Sequence, residues 1–155
     1  MKWQSSLGQL LSIAAILSSM TGCNDLPTTG KPIAGAPDGT AEVVGLSATG
    51  QIELEKIGFL EAVDRKDQKL VLVDFWAPWC GPCLKLTPAI EATKKKWGDK
   101  LQVVKVNVDD NNAIAAHLNI HAIPDVRIFR NGIQVGDFGG VWAKDEIDAL
   151  LRSLE

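Results

Sequence analysis

The stretch Leu70-Val71-Leu72-Val73-Asp74-Phe75-Trp76-Ala77-Pro78-Trp79-Cys80-Gly81-Pro82-Cys83 decides the fold. Its first seven residues are apolar on both faces except at Asp74, the pattern of a central strand covered on both sides. Two cysteines follow, three positions apart. Residues i and i+3 are neighbours on a helix, so with Cys80 at a helix N-terminus and Cys83 in its first turn the two sulfurs can bond without dragging the backbone. The Cys80 sulfur then faces unsatisfied backbone N–H groups and the positive end of the helix dipole. Both stabilise a thiolate, the nucleophilic form of the side chain. The stretch reads as a dithiol redox centre.

Working outward, 81 to 97 carries apolar residues at Leu86, Ala89, Ile90 and Trp97, a helical stripe in which Pro88 predicts a kink. Leu101 to Val108 is the next strand, so strand, helix and strand form a βαβ unit with parallel strands. Asn111 to Leu118 reads as helix. Val126 to Arg130 and Ile133 to Phe138 flank Asn131-Gly132, a strong hairpin signal. Ala143 to Leu154 closes the chain as an amphipathic helix with Ile147, Leu150, Leu151 and Leu154 on one side. Upstream of the central strand, Gln51 to Glu55 is a short strand and Gly58 to Arg65 a helix.

The front of the 155-residue chain has a different character. A basic start at Met1-Lys2-Trp3, an apolar run from Leu10 to Leu17 and a small-residue exit ending at Cys23 follow signal-peptide grammar. The run is shorter than the ~20 residues of a permanent span. Thr21-Gly22-Cys23 resembles the end of a bacterial lipoprotein signal, with Met20 where that family usually has Leu. Cleavage after residue 22 and lipid on Cys23 are expected; an ordinary secretory signal leaving a free Cys23 is the alternative. From Asn24 to Gly50 the chain is rich in Gly, Pro, Thr and Ala and reads as a flexible tether of about 30 Å r.m.s. span. The predicted organisation is a signal peptide (1–22), a lipidated cysteine and tether (23–50), and a globular domain (51–155). Loss of residues 1–22 leaves 15 basic and 19 acidic side chains, a charge of −4. Lys94-Lys95-Lys96 reads as the solvated C-terminal end of a helix, and no basic stripe suits nucleic acid.

From about Ile52 onward the chain resembles thioredoxin. The motifs are Val73-Asp74-Phe75-Trp76, Trp79-Cys80-Gly81-Pro82-Cys83, Pro88, Lys105, Ile123-Pro124, Asn131-Gly132 and Gly140, in that family's order and spacing. The resemblance implies an α/β thioredoxin fold, a central mixed sheet with helices on both faces. It assigns Cys80 as the attacking thiolate and Cys83 as the resolving thiol, with a redox-active Cys80–Cys83 disulfide. Asp74 would relay a proton for Cys83 with Lys105 close by; its alternative is an exposed strand-end carboxylate. Trp79, Gly81, Pro82, Ile123, a cis Pro124, Gly140 and Val141 would form the substrate groove, where the Ile123 backbone bonds an extended segment like an added strand. No cofactor is implied.

Two departures from the family pattern bear on partners. Asp125 follows the proline where Thr is usual, and could repel acidic partners or disfavour the Cys80 thiolate. Trp142 lies just past the groove glycine, either as core or as an extra contact. The expected activity is reduction of disulfides in exported proteins by a monomer facing the periplasm or extracytoplasmic space, supplied with electrons by a membrane thiol donor. Competing readings are a disulfide oxidase or isomerase, a non-catalytic adaptor, and a zinc site of Cys80, Cys83, His117 and His121, whose spacing exceeds a zinc finger's.

Overall fold

The computed structural model describes residues 30–155. The expected signal peptide and the lipid position Cys23 lie outside the described residues. The chain runs β1 (Thr40–Leu46), β2 (Ile52–Gly58), α1 (Phe59–Val63), β3 (Leu70–Trp76), α2 (Gly81–Trp97), a 3-10 turn (Gly98–Lys100), β4 (Leu101–Asn107), α3 (Asn112–His117), β5 (Asp125–Arg130), β6 (Ile133–Gly139) and α4 (Lys144–Ser153). One mixed sheet has the order β2-β1-β4-β3-β5-β6. Strands β3 and β4 are parallel, joined by α2; every other neighbouring pair is antiparallel.

The two-sided apolar pattern of β3 is explained by what covers it. Val71, Val73 and Phe75 pack with Phe59 and Val63 of α1 and Ile114 of α3. On the other face Leu70 and Leu72 pack with Leu86 and Ile90 of α2 and Ile147 and Leu151 of α4. Side chains alternate along a strand, so Asp74 shares the α2 face. Asn131 and Gly132 both take positive φ, 51° and 74°, as a two-residue hairpin loop of the favoured hand demands. Helix α2 continues through Pro88.

The expected tether is corrected. Residues 30–50 are part of the domain: β1 lies between β2 and β4, and Ile33, Ala36, Ala41 and Val44 are buried. Ahead of β1 the chain forms a strap. The Ile33 N–H donates to the Gly132 carbonyl at 2.7 Å, and the Gln134 N–H donates to the Lys31 carbonyl at 3.0 Å. Low overall apolar content hid a short alternating run, with Ala41 and Val43 against one core and Val44 in the other. Two of its glycines serve turns, Gly35 at φ 84° and Gly50 at φ 76°.

The lysine run is corrected at one residue. Lys94 is buried, its ammonium donating to the Gly98 carbonyl at 3.0 Å and the Leu101 carbonyl at 2.9 Å. Lys96 donates to Asp148 of α4 at 2.5 Å. Lys95 and Lys96 remain exposed at the C-terminal end of the helix, as expected, and only Lys94 turns inward.

Ile33 separates strap from tether. Ile33→Ala should cost about 2–4 kcal/mol in chemical denaturation, the range for a truncated core side chain. A free tether would lose nothing.

Candidate active site

The chain leaves β3 at Trp76 and enters α2 at Gly81. The Cys80 N–H donates to the Ala77 carbonyl at 3.1 Å, folding the connection into a turn. Cys80 is the N-cap of α2 (φ −82°, ψ 96°), and the Cys83 N–H donates to its sulfur at 3.2 Å. Pro82 fits the first turn, where its missing N–H removes a donor that has no helical acceptor. Gly81 has open space around its Cα. The cysteines form a disulfide with Cα atoms 5.3 Å apart, within the range such a bridge spans. Cys80 is 4% exposed and Cys83 0%. Of the two sulfurs, then, the N-terminal one belongs to the residue that reaches the surface.

Around the dithiol, Ala77, Cys80 and Cys83 pack with Trp76, Val108 and Ile123. The Ile123–Pro124 peptide is cis. Gly140, at φ 79°, donates its N–H to the Pro124 carbonyl at 3.0 Å, bringing the end of β6 beside this loop. Trp79 and Val141 are 69% and 51% exposed. Beside them runs a cleft of about 370 Å³ whose lining includes Trp79, Val108, Ile120 and Ile123. Trp79 is held by a residue the sequence did not single out: its Nε1–H donates to Asp109 Oδ2 at 2.9 Å. The available signal was the acidic pair Asp109-Asp110 at the end of β4, the strand parallel to β3.

Asp74 is 1% exposed, which removes the strand-end alternative. Neither of its oxygens has a hydrogen-bond partner among the described residues. Burial pushes its carboxyl up to about 6, and Lys105 pulls the other way. The Lys105 ammonium is 4.0 Å from Asp74 Oδ2 and 4.5 Å from the Trp76 ring centroid. It also donates a long hydrogen bond to Thr87 Oγ1 at 3.4 Å.

The departures resolve in local terms. Arg127 donates to both Asp125 oxygens, at 2.5 and 2.9 Å. The expected free anion beside the groove is therefore a paired one, since residues two apart on a strand share a face. Trp142 stacks on Phe138 with centroids 4.4 Å apart and packs into the core under α2 and α4. His117 and His121 are not gathered with the cysteines: among the described residues no three metal-binding side chains cluster.

The thioredoxin family model matches residues 50–153. The chain belongs to the thioredoxin family. It is 43% identical over 82 residues to thioredoxin of Porphyra purpurea, covering 53% of this chain and 77% of that one. It is 45% identical over 84 residues to a thioredoxin-like protein of Synechocystis, covering 54% and 77%. Against thioredoxin of Bacillus subtilis it is 38% identical over 83 residues, covering 54% and 80%. With the cysteine pair in the family's active-site position, this thioredoxin-family protein is a thiol–disulfide oxidoreductase. The matched region starts after β1, so the strap and β1 are additions to it.

Burial of Asp74 makes stability depend on pH in a defined direction. Its folded proton affinity exceeds the unfolded one, so the penalty is absent below the usual value of 3.8, grows as pH rises to about 6, and is constant above. Asp74→Asn removes the titration. Relative to the parent, the variant should gain on the order of 3 kcal/mol between pH 3.5 and pH 7.5, read from denaturation curves. A pH-independent difference would contradict the buried-carboxylate account.

Proposed function

We propose that the protein reduces disulfides in exported proteins while held at a membrane by lipid on Cys23. The observation carrying the redox direction of attack is the placement of Cys80: its sulfur caps α2, and Cys83 behind it has no exposure. In the reduced state the Cys80 thiolate attacks one sulfur of a partner disulfide. The Cys80–partner bond forms, the partner's S–S bond breaks, and the first partner thiolate leaves. The Cys83 thiol then gives its proton to the Asp74 carboxylate and attacks the Cys80 sulfur. The second partner thiolate departs, and two electrons have passed from the dithiol to the partner. The protein is left with the Cys80–Cys83 disulfide.

Binding fits the same geometry. Ile123 lies outside β5, which starts at Asp125, so its backbone is not committed to that ladder. An extended partner segment can pair with it, as in strand addition. Trp79, Pro124, Gly140 and Val141 flank that position, and a proline there keeps the groove floor free of a competing N–H donor. Lys105, 4.0 Å away, tempers the charge that Asp74 carries until it takes the proton of Cys83.

Export requires an electron source outside the cell's reducing interior, which a thiol donor in the membrane supplies. The strap supports an outward-facing site. Lys31 and Ile33 bond to the β5–β6 hairpin, beside the end of the sheet where β3 begins, whereas the dithiol follows the other end of β3. A chain anchored at Cys23 enters the domain at the pole away from Cys80.

Cys83→Ser tests the chemistry. Exported disulfide proteins should accumulate as adducts linked to Cys80, released by reductant; no adduct with any of them would overturn the mechanism. Labelled palmitate should be incorporated into the parent and lost in Cys23→Ser. An unlabelled, freely soluble product would remove the membrane from the account.

A further inference from the structure

Four adjacent strands carry, at matched register on the α2 face of the sheet, a row of alternating charge. Asp74 of β3 lies opposite Lys105 of β4, Lys105 opposite Glu42 of β1, and Glu42 opposite Lys56 of β2. Directly opposed residues share a face, with Cβ atoms about 5 Å apart. The row thus runs from a fully enclosed carboxyl to the outermost strand. A cleft of about 250 Å³ opens over it, lined in part by Glu42, Lys56, Trp76, Lys105 and Asp110.

On an exposed sheet such a row would do little beyond weak pairwise support. Here its inner end is the Asp74 carboxyl, which has no hydrogen-bond partner among the described residues. The cation facing it, Lys105, stands off at 4.0 Å. Among the described residues Lys105 is otherwise held by the Trp76 ring at 4.5 Å and by the 3.4 Å bond to Thr87, whose hydroxyl in turn donates to the Cys83 carbonyl at 3.2 Å. How far the ammonium sits from Asp74 therefore depends on what draws it the other way. Glu42 is the anion across the ladder on that side, and it comes from β1, outside the region the family model matches.

We propose that Glu42 is a positioning residue for the dithiol chemistry: it draws Lys105 toward the edge of the sheet, leaves Asp74 only partly compensated, and so sets the proton affinity of that carboxyl. The charged and titratable groups facing the row are Cys80 and Cys83 of α2, Lys105 of β4, Glu42 of β1, Lys56 of β2 and Asp110 after β4. Lys56, opposite Glu42 on the outer strand, is the cation that limits its pull. Asp110 adds a second anion at the cleft and acts in the same sense as Glu42. The catalytic part of the inference rests on Asp74 accepting the Cys83 proton.

Carbon-13 NMR titration of the Asp74 carboxyl in the intact reduced protein tests this, alongside the pH profile for reduction of insulin. Glu42→Gln replaces an incompletely buried side chain with its isostere, and circular dichroism checks that it folds. The variant should move the Asp74 midpoint down by about half a pH unit or more, and the turnover profile should move with it. In a Lys105→Gln background the Glu42→Gln change should shrink, because the effect travels through Lys105. An unmoved Asp74 midpoint in folded Glu42→Gln overturns the proposal. A midpoint that moves while the turnover profile stays fixed supports the row and overturns the part given to Asp74 in turnover.

Discussion

The hydrogen bond from the Cys83 N–H to the Cys80 sulfur fixes the chemistry of the site. It exists because β3 delivers the chain to the start of α2 with a single short turn between them, so the N-capping position falls on a cysteine rather than on the usual Ser, Thr or Asp. A sulfur in that place meets the helix N-terminus whether it is bonded to Cys83 or free as a thiolate. The same short turn pins the second cysteine below the surface, against Trp76 and over the face of β3 that carries Asp74. Attack and resolution are thereby divided between two side chains that differ in access, not in type.

That arrangement holds only if α2 cannot rotate. At its N-terminal end the helix is fixed by the short turn from β3 and by packing of Leu86 on the sheet. At its C-terminal end the restraint is ionic. Asp148 of α4 is fully buried and accepts hydrogen bonds from Lys96 and Trp97 of α2 at 2.5 and 2.9 Å, and from Lys144 at 2.6 Å. Burial alone would raise its proton affinity, yet these donors together hold the carboxyl well below the ordinary range. A buried carboxylate with several donors is strongly directional, so α4 locks the azimuth of α2. The two buried aspartates behave oppositely for a plain reason: Asp148 has three donors, and Asp74 has none among the described residues.

Much of this was legible in the sequence. The β3–α2–β4 unit, the Asn131-Gly132 hairpin and α4 lie where apolar periodicity and turn chemistry put them, because in each case a long periodic run agrees with its own end signals. The strap and β1 were not legible. Four buried apolar residues scattered among glycines and prolines give no periodic signal over a window, and Ile33 meets a hairpin a hundred residues away. Resemblance pointed the same way, since it covers the chain only from about Ile52. The Asp125–Arg127 pair was readable in principle from two-residue spacing, whereas the Trp79–Asp109 bond needed the parallel register of β3 and β4. Glu42 lay inside the supposed tether and so could not be connected with Lys105 at all.

The proposed function turns on the dithiol being a reductant, built on a family site and, as proposed, presented away from an anchoring surface. The reduction potential of Cys80/Cys83 against defined thiol buffers tests that claim most directly. A value near the thioredoxin end of the scale, about −270 mV, is predicted. A value near the strongly oxidising end, about −120 mV, would contradict it and make the protein a donor of disulfides.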